Sequence, residues 1–101
     1  MLESGSKELL SFTVGKCYEL VRKDTDDSSI IVYIYIKGLH RGKGDKFLEG
    51  YYHIQAIILN HNLEIWSIRN DLDDKFVSDI WKIVRTMDKL EFDRLLTREA
   101  L

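Results

Sequence analysis

A chain of 101 residues, 45% apolar and 32% charged, has the size and composition of one globular domain rather than a disordered segment. A net charge of −2 excludes a chain that binds nucleic acid by bulk positive charge, and equally an acidic tail. The single Cys17 cannot close an intramolecular disulfide, no run of about 18 apolar residues spans a membrane, and no basic-then-apolar leader opens the chain. A reducing cytoplasm and no membrane partner are therefore expected.

Met1 to Ser6 is small, polar and patternless, and residues 1–10 read as a flexible tail or a cloning remnant ahead of a single α+β domain over 11–101. Phe12 and Val14 alternate with Ser11 and Thr13, Gly15-Lys16 interrupts, and Cys17 to Arg22 resumes, which predicts a short strand, a bend at Gly15 and a second strand segment. Lys23 to Ser29 is a polar loop. The next strand has the strongest pattern: Ile30, Val32, Ile34 and Ile36 share one face, with Ile31, Tyr33, Tyr35 and Lys37 on the other. Four exposed aliphatics in a row would invite aggregation, so the first face is core.

Gly38 to Gly50 holds four glycines and a cluster of charge, which predicts a long loop. Tyr51 to Leu59 then reads as a strand with Tyr52, Ile54, Ala56 and Ile58 inward. Asn60-His61-Asn62 closes a hairpin, with asparagine supplying any positive φ. Leu63 to Arg69 returns, with Trp66 and Ile68 sharing one face and Leu63 and Ile65 the other; Asn70 to Lys75 reads as a turn.

Residues 76–87 fit both a helical stripe and a strand. Asp88 followed by Glu91 forms a capping box, and Met87 with Phe92 occupies the two positions of a hydrophobic staple, so a helix starts at Lys89. A fresh start there predicts a last strand over Ile80–Thr86 and a helix from Lys89 to about Arg98, buried through Phe92, Leu95 and Leu96. The predicted fold is α+β: a small antiparallel sheet or partly open, SH3-like barrel of five to six strands with one C-terminal helix.

Phe12-Thr13-Val14-Gly15-Lys16-Cys17-Tyr18 near the start, and Trp81-Lys82-Ile83 some ten residues before Glu91-Phe92, resemble small β-barrel proteins encoded by phages and mobile elements. In that group a Gly-Lys-x-Tyr opening leads into a compact barrel, and a Trp-bearing strand feeds a short helix with an acidic–aromatic pair. The resemblance rests on about ten residues that pack rather than react, and implies a fold and a genomic context but no uniform activity. The Gly38–Gly50 segment is longer and more basic than the pattern requires.

No chemical constellation assembles along the chain. His40, His53 and His61 lack metal-ligand spacing from one another or from Cys17, and read as solvated or rim histidines. Cys17, alternating with Tyr18, reads as a small core thiol rather than a nucleophile. The glycine-rich segment lacks the spacing and following helix of a phosphate loop. No cofactor, metal or enzyme site is expected.

Three surfaces remain as candidates, each with an inert counterpart. Lys37, His40, Arg41, Lys43 and Lys46 form a basic tip that reaches an acidic protein surface or a nucleic-acid backbone, or is merely solvated. Asp71, Asp73, Asp74 and Asp79 form an acidic patch, joined by Asp24, Asp26 and Asp27 if the loops meet; it imitates nucleic-acid phosphates, or simply solubilises turns. Tyr33 and Tyr35 form a base-stacking platform if free, or an outer core layer if the helix covers them. The expected function is a small non-enzymatic protein-binding module, for example a phage-type, anti-CRISPR-like inhibitor that occludes a host defence nuclease. The alternative is a nucleic-acid-binding β-barrel using the basic glycine-rich tip and the tyrosines. Monomer and homodimer are both compatible with the sequence.

Overall fold

Alternating β-branched residues set the centre of the sheet. Val32, Ile34 and Ile36 are buried on one face of a strand running Ile31–Arg41, and branched side chains of this kind favour the pleated, half-buried surface of a strand. The structure, a computed structural model, describes residues 8–23, 30–41, 47–60 and 62–100, with backbone alone at 41, 47–49 and 98–100. In chain order the elements are β1 (Cys17–Arg22), β2 (Ile31–Arg41), β3 (Phe47–Leu59), β4 (Ile65–Lys75), β5 (Trp81–Met87) and α1 (Lys89–Ala100). Five antiparallel strands lie in the order β4-β3-β2-β1-β5, so β1 to β4 form a meander and β5 adds beside β1.

Both faces of this sheet are apolar. On the first, Tyr18, Leu20, Val32, Ile34, Ile36, Tyr52, Ile54 and Ala56 pack with Phe76, and Leu10, Phe12, Trp81 and Ile83 close over them. On the second, Cys17, Ile57 and Leu59 pack with Met87 and Phe92 under α1. The N-terminal arm is tied to the first face by two tyrosine hydroxyls. Phe12 N donates to Tyr52 Oη at 3.1 Å and Thr13 N to Tyr18 Oη at 2.8 Å, while the Phe12 ring lies 4.9 Å from that of Tyr18. Tyr18 thus anchors the arm through both its hydroxyl and its ring. Gly15, at φ +91°, makes the bend that feeds β1, and Lys16 N donates back to Thr13 O.

The sheet is not closed, since β4 and β5 are its two edges and do not pair. It is strongly curled, however. Five residues, 76–80, carry the chain from one edge strand to the other, whereas four strand spacings across a flat sheet amount to about 19 Å. Residues 78–80 form a turn, which leaves too little extended chain for that span. The sheet therefore curves around its first face, with Phe76 buried beneath the crossing.

Several sequence expectations change. Residues 11–14 form no strand; the arm's one ladder-type contact among the described residues is an isolated Leu9–Val77 bridge, so the sheet has five strands. Gly38–Gly50 is not one long loop, because β2 continues to Arg41 and β3 begins at Phe47. Two of the four glycines lie within strands instead: Gly38 sits opposite His53 beside a bulge, and Gly50 adopts φ +79° with the Leu9 side chain lying where a Cβ would project, while Gly42 and Gly44 lie outside the described residues. Asn70–Lys75 is likewise no turn but the second half of β4. At the β3–β4 hairpin the positive φ belongs to Leu63 (+63°) rather than to asparagine. Asn60 instead accepts from Asn62 N and Glu64 N through its side-chain oxygen. His61 and the tail 1–7 lie outside the described residues.

The predicted break near residue 87 is where the sequence places it, with β5 ending at Met87 and α1 starting at Lys89. The Met87–Phe92 staple forms within the second core. Glu91 does not serve a capping box, since its carboxylate is held in a two-pronged pair by Arg85, which also reaches Glu19 at 2.7 Å. These three charges tie α1 to β5 and β1. The pair holds the Glu91 carboxyl below the usual carboxylate range. Cys17 is fully buried, and burial pushes its thiol up to about 11, which suits a packing role and not a nucleophile.

Candidate functional site

Two bulges build a polar cluster on the sheet. On β2 the extra residue is Lys37, between the Ile36–Ile54 and Gly38–His53 pairs. On β4 an extra residue falls between Arg69 and Leu72, so that Asn70 and Asp71 together face Gln55. A bulge re-aims the side chains beside it, and these two flank the same stretch of β3 from both sides. As a result Lys37, His40, His53, Gln55, Asn70, Asp71 and Asp73 converge.

His53 is the hub of this cluster. Its Nδ1 lies 2.9 Å from Asp73 Oδ1 and its Nε2 lies 2.6 Å from Asp71 Oδ1. His40 Nδ1 approaches the same Asp73 oxygen at 3.0 Å, Lys37 Nζ lies 3.4 Å from Asp71, and Gln55 Nε2 donates to Asn70 Oδ1 at 2.9 Å. The Tyr51 ring flanks the group, 6.2 Å from the His40 ring, with Lys75 Nζ 5.4 Å from the Tyr51 ring centroid. Hydrogen bonding from His53, with a smaller contribution from His40, holds the Asp73 carboxyl below its ordinary value.

The candidate basic and acidic surfaces are therefore not two patches. Lys37 and His40 lie directly against Asp71 and Asp73. Asp74 lies on the same strand but opposite Tyr52, the residue that packs in the first core. Asp79 belongs elsewhere: its turn precedes β5 at the far edge, where Lys23 bonds the backbone of Ser78 and Ile80. Arg41 ends β2, its side chain outside the description; Lys43, Lys46, Asp24, Asp26 and Asp27 lie outside the described residues.

Tyr33 and Tyr35 are half-buried and pack against the second core. The Tyr35 ring is 6.2 Å from that of Phe92, and Lys89 Nζ lies 4.6 Å from its centroid. Helix α1 thus occupies the space a stacking base would need. Among the described residues no three His, Cys, Asp or Glu side chains are arranged to hold a metal ion. Among the described residues no hydroxyl or thiol side chain is hydrogen-bonded to His40 or His53.

Beyond the cluster, the first half of β4 presents an apolar anchor. Trp66 is the extra residue between the Ile65–Leu59 and Ser67–Ile58 pairs, which turns it out of the alternation. It is 69% exposed, and Leu63 in the adjoining hairpin is 66% exposed. The bulge also corrects the expected faces: Ile65 and Ile68 both pack into the second core, and Trp66 shares a buried face with neither. Sequence reasoning set Trp66 on one face with Ile68 and missed His53 as a hub. Continuing the hairpin register past Arg69 would set His53 opposite Leu72, and only the extra residue in β4 brings it opposite Asp73.

No protein-family model, no curated protein and no solved structure matches this chain. Among the described residues no helix is long and apolar enough to cross a membrane.

Proposed function

We propose that this chain is a small non-enzymatic protein-binding module that acts by covering part of a partner's surface. The observation that carries the proposal is Trp66, an aromatic side chain left 69% exposed by a bulge on an edge strand. Tryptophan is enriched among the few residues that dominate interface energies, and such anchors are ringed by polar groups that exclude water. Leu63 supplements the anchor, and exposed Asp74 further along the same strand favours a partner with basic groups beside an apolar recess.

Within this reading, a phage-type inhibitor occluding a host protein such as a defence nuclease is the version that the resemblance supports. Imitation of nucleic-acid phosphate is less well supported than an aromatic anchor, because Asp71 and Asp73 spend their charge on Lys37, His40 and His53. The nucleic-acid-binding alternative draws no support from Tyr33 and Tyr35 beneath α1.

The test is affinity capture from host lysate with wild-type protein and Trp66→Ala in parallel. Wild type returns a stoichiometric protein partner. The variant weakens that complex by about 30-fold, the effect of losing an interface anchor, while its own stability moves by no more than about 0.5 kcal/mol because the side chain is exposed. A consistent absence of partner across several hosts would remove the reading. Undiminished capture by Trp66→Ala would move the contact surface away from β4.

A further inference from the structure

We propose that His53, held between Asp71 and Asp73, is a proton-operated clamp that fixes the second half of edge strand β4 to β3. Both ring nitrogens of His53 face carboxylate oxygens, at 2.6 and 2.9 Å. A neutral imidazole carries one N–H and one bare lone pair. At these distances a bare nitrogen would set its lone pair against a carboxylate oxygen, so only the doubly protonated ring satisfies both sides. The same charge count follows from the neighbours. Asp71 and Asp73 present two negative charges, Lys37 one positive charge, and an imidazolium at His53 completes the balance.

The groups facing this ring come from both flanking strands. Lys37 and His40 lie on β2, and Asp71 and Asp73 on β4, with Lys75 near Tyr51 at the end of the same surface. His40 touches one carboxylate, at 3.0 Å, so a single N–H suffices for it. His53 touches two, one on each side of Leu72, and so spans the segment that follows the Asn70–Asp71 bulge. A bulge interrupts the ladder locally, and the clamp re-fastens the strand where the ladder is weakest. Its location on an edge gives the device a consequence, because releasing Leu72–Lys75 frees strand-edge backbone for another chain.

The pH window follows from the chemistry. On the acid side the carboxylates must stay ionised; Asp73, lowered by its histidine partners, keeps its contribution above the ordinary carboxylate value and loses it as pH falls through the lowered one. On the alkaline side the clamp opens when the imidazolium gives up its second proton, which leaves one ring nitrogen with a lone pair facing a carboxylate oxygen.

The experiment is amide hydrogen exchange across β4, corrected for the intrinsic pH dependence of exchange, at pH 5.5 and pH 8.0. In wild type, protection of the Leu72–Lys75 amides relative to Ile65–Arg69 should fall by about threefold to fivefold on going to pH 8.0, the worth of one modest hydrogen bond at an exposed site. His53→Gln should remove the pH dependence, and His40→Gln should keep it. A pH-independent ratio in wild type, or an unchanged pH dependence in His53→Gln, would overturn the proposal. Because the readout is backbone protection in the isolated protein, the result is independent of whether β4 binds a partner.

Discussion

Replacing Phe92 with alanine should lower the stability of the domain by about 3–5 kcal/mol, measured as the shift in a urea or thermal transition. Phe92 has no exposed surface and joins Cys17, Ile57, Leu59 and Met87 in the core beneath α1. A helix of 12 residues is too short to persist alone, since isolated helices below about 12–15 residues are marginal in water. Its order therefore comes from docking, and Phe92 supplies the central contact, with Leu95 and Leu96 beside it. Helical circular dichroism should fall along with the transition midpoint. Glu91→Gln serves as the control: it weakens the Arg85 pair, which is exposed, and surface ion pairs contribute little. A loss below about 1 kcal/mol in Phe92→Ala would show that the helix does not rest on this side chain.

The second large effect concerns the other face. Ile34→Ala should cost about 2–5 kcal/mol, the range for emptying a buried branched aliphatic site. Ile34 is fully buried on β2, the middle strand, opposite Tyr18 on β1 and Ala56 on β3. Because Ala56 is small, it cannot extend into the space that Ile34 vacates, and the cavity persists. Against a typical domain stability of about 5–15 kcal/mol, such a loss is a large fraction of the whole. Val84→Ala provides the contrast. Val84 is 47% exposed at a bulge on edge strand β5, and its truncation should move stability by about 0.5 kcal/mol or less. Equal effects at the two positions would contradict the assignment of the core to the centre of the sheet.

What the sequence revealed, and what it concealed, follows from whether the deciding interaction is local. The alternation from Ile30 to Ile36 is a local signal, and it marks the buried face correctly. The staple formed by Met87 and Phe92 is also local, and it separates β5 from α1. Glu91 shows the limit. Its spacing from Asp88 suits a capping box, yet Arg85 on the preceding strand takes its carboxylate, and that competition depends on the tertiary placement of β5.

The acidic half of β4 failed for a different reason. Asn and Asp favour turns because they bond their own backbone, but on an edge strand charged residues are also tolerated, and they discourage unwanted pairing. Composition alone does not separate these cases. The extended register to Tyr51–Lys75 does, and it carries with it the meeting of His53 with Asp71 and Asp73. The glycine-rich stretch from Gly38 was misread similarly, since a glycine required by a bulge or a close approach resembles a glycine in a loop. The exposure of Trp66 depends on a single inserted residue, which shifts one side chain out of the two-residue alternation.

The claim on which the functional account turns is that the β4 edge, and not the tyrosine-bearing face, is open to a partner. Acrylamide quenching of Trp66 fluorescence in Trp81→Phe protein measures this directly, because Trp81 is packed 5.7 Å from Phe76 and would otherwise contribute its own signal. Emission like that of a solvated indole, with quenching near that of a free tryptophan derivative, is the expected result. A blue-shifted emission that resists quenching in the isolated protein would mean that Trp66 is already covered, and that the binding surface lies elsewhere.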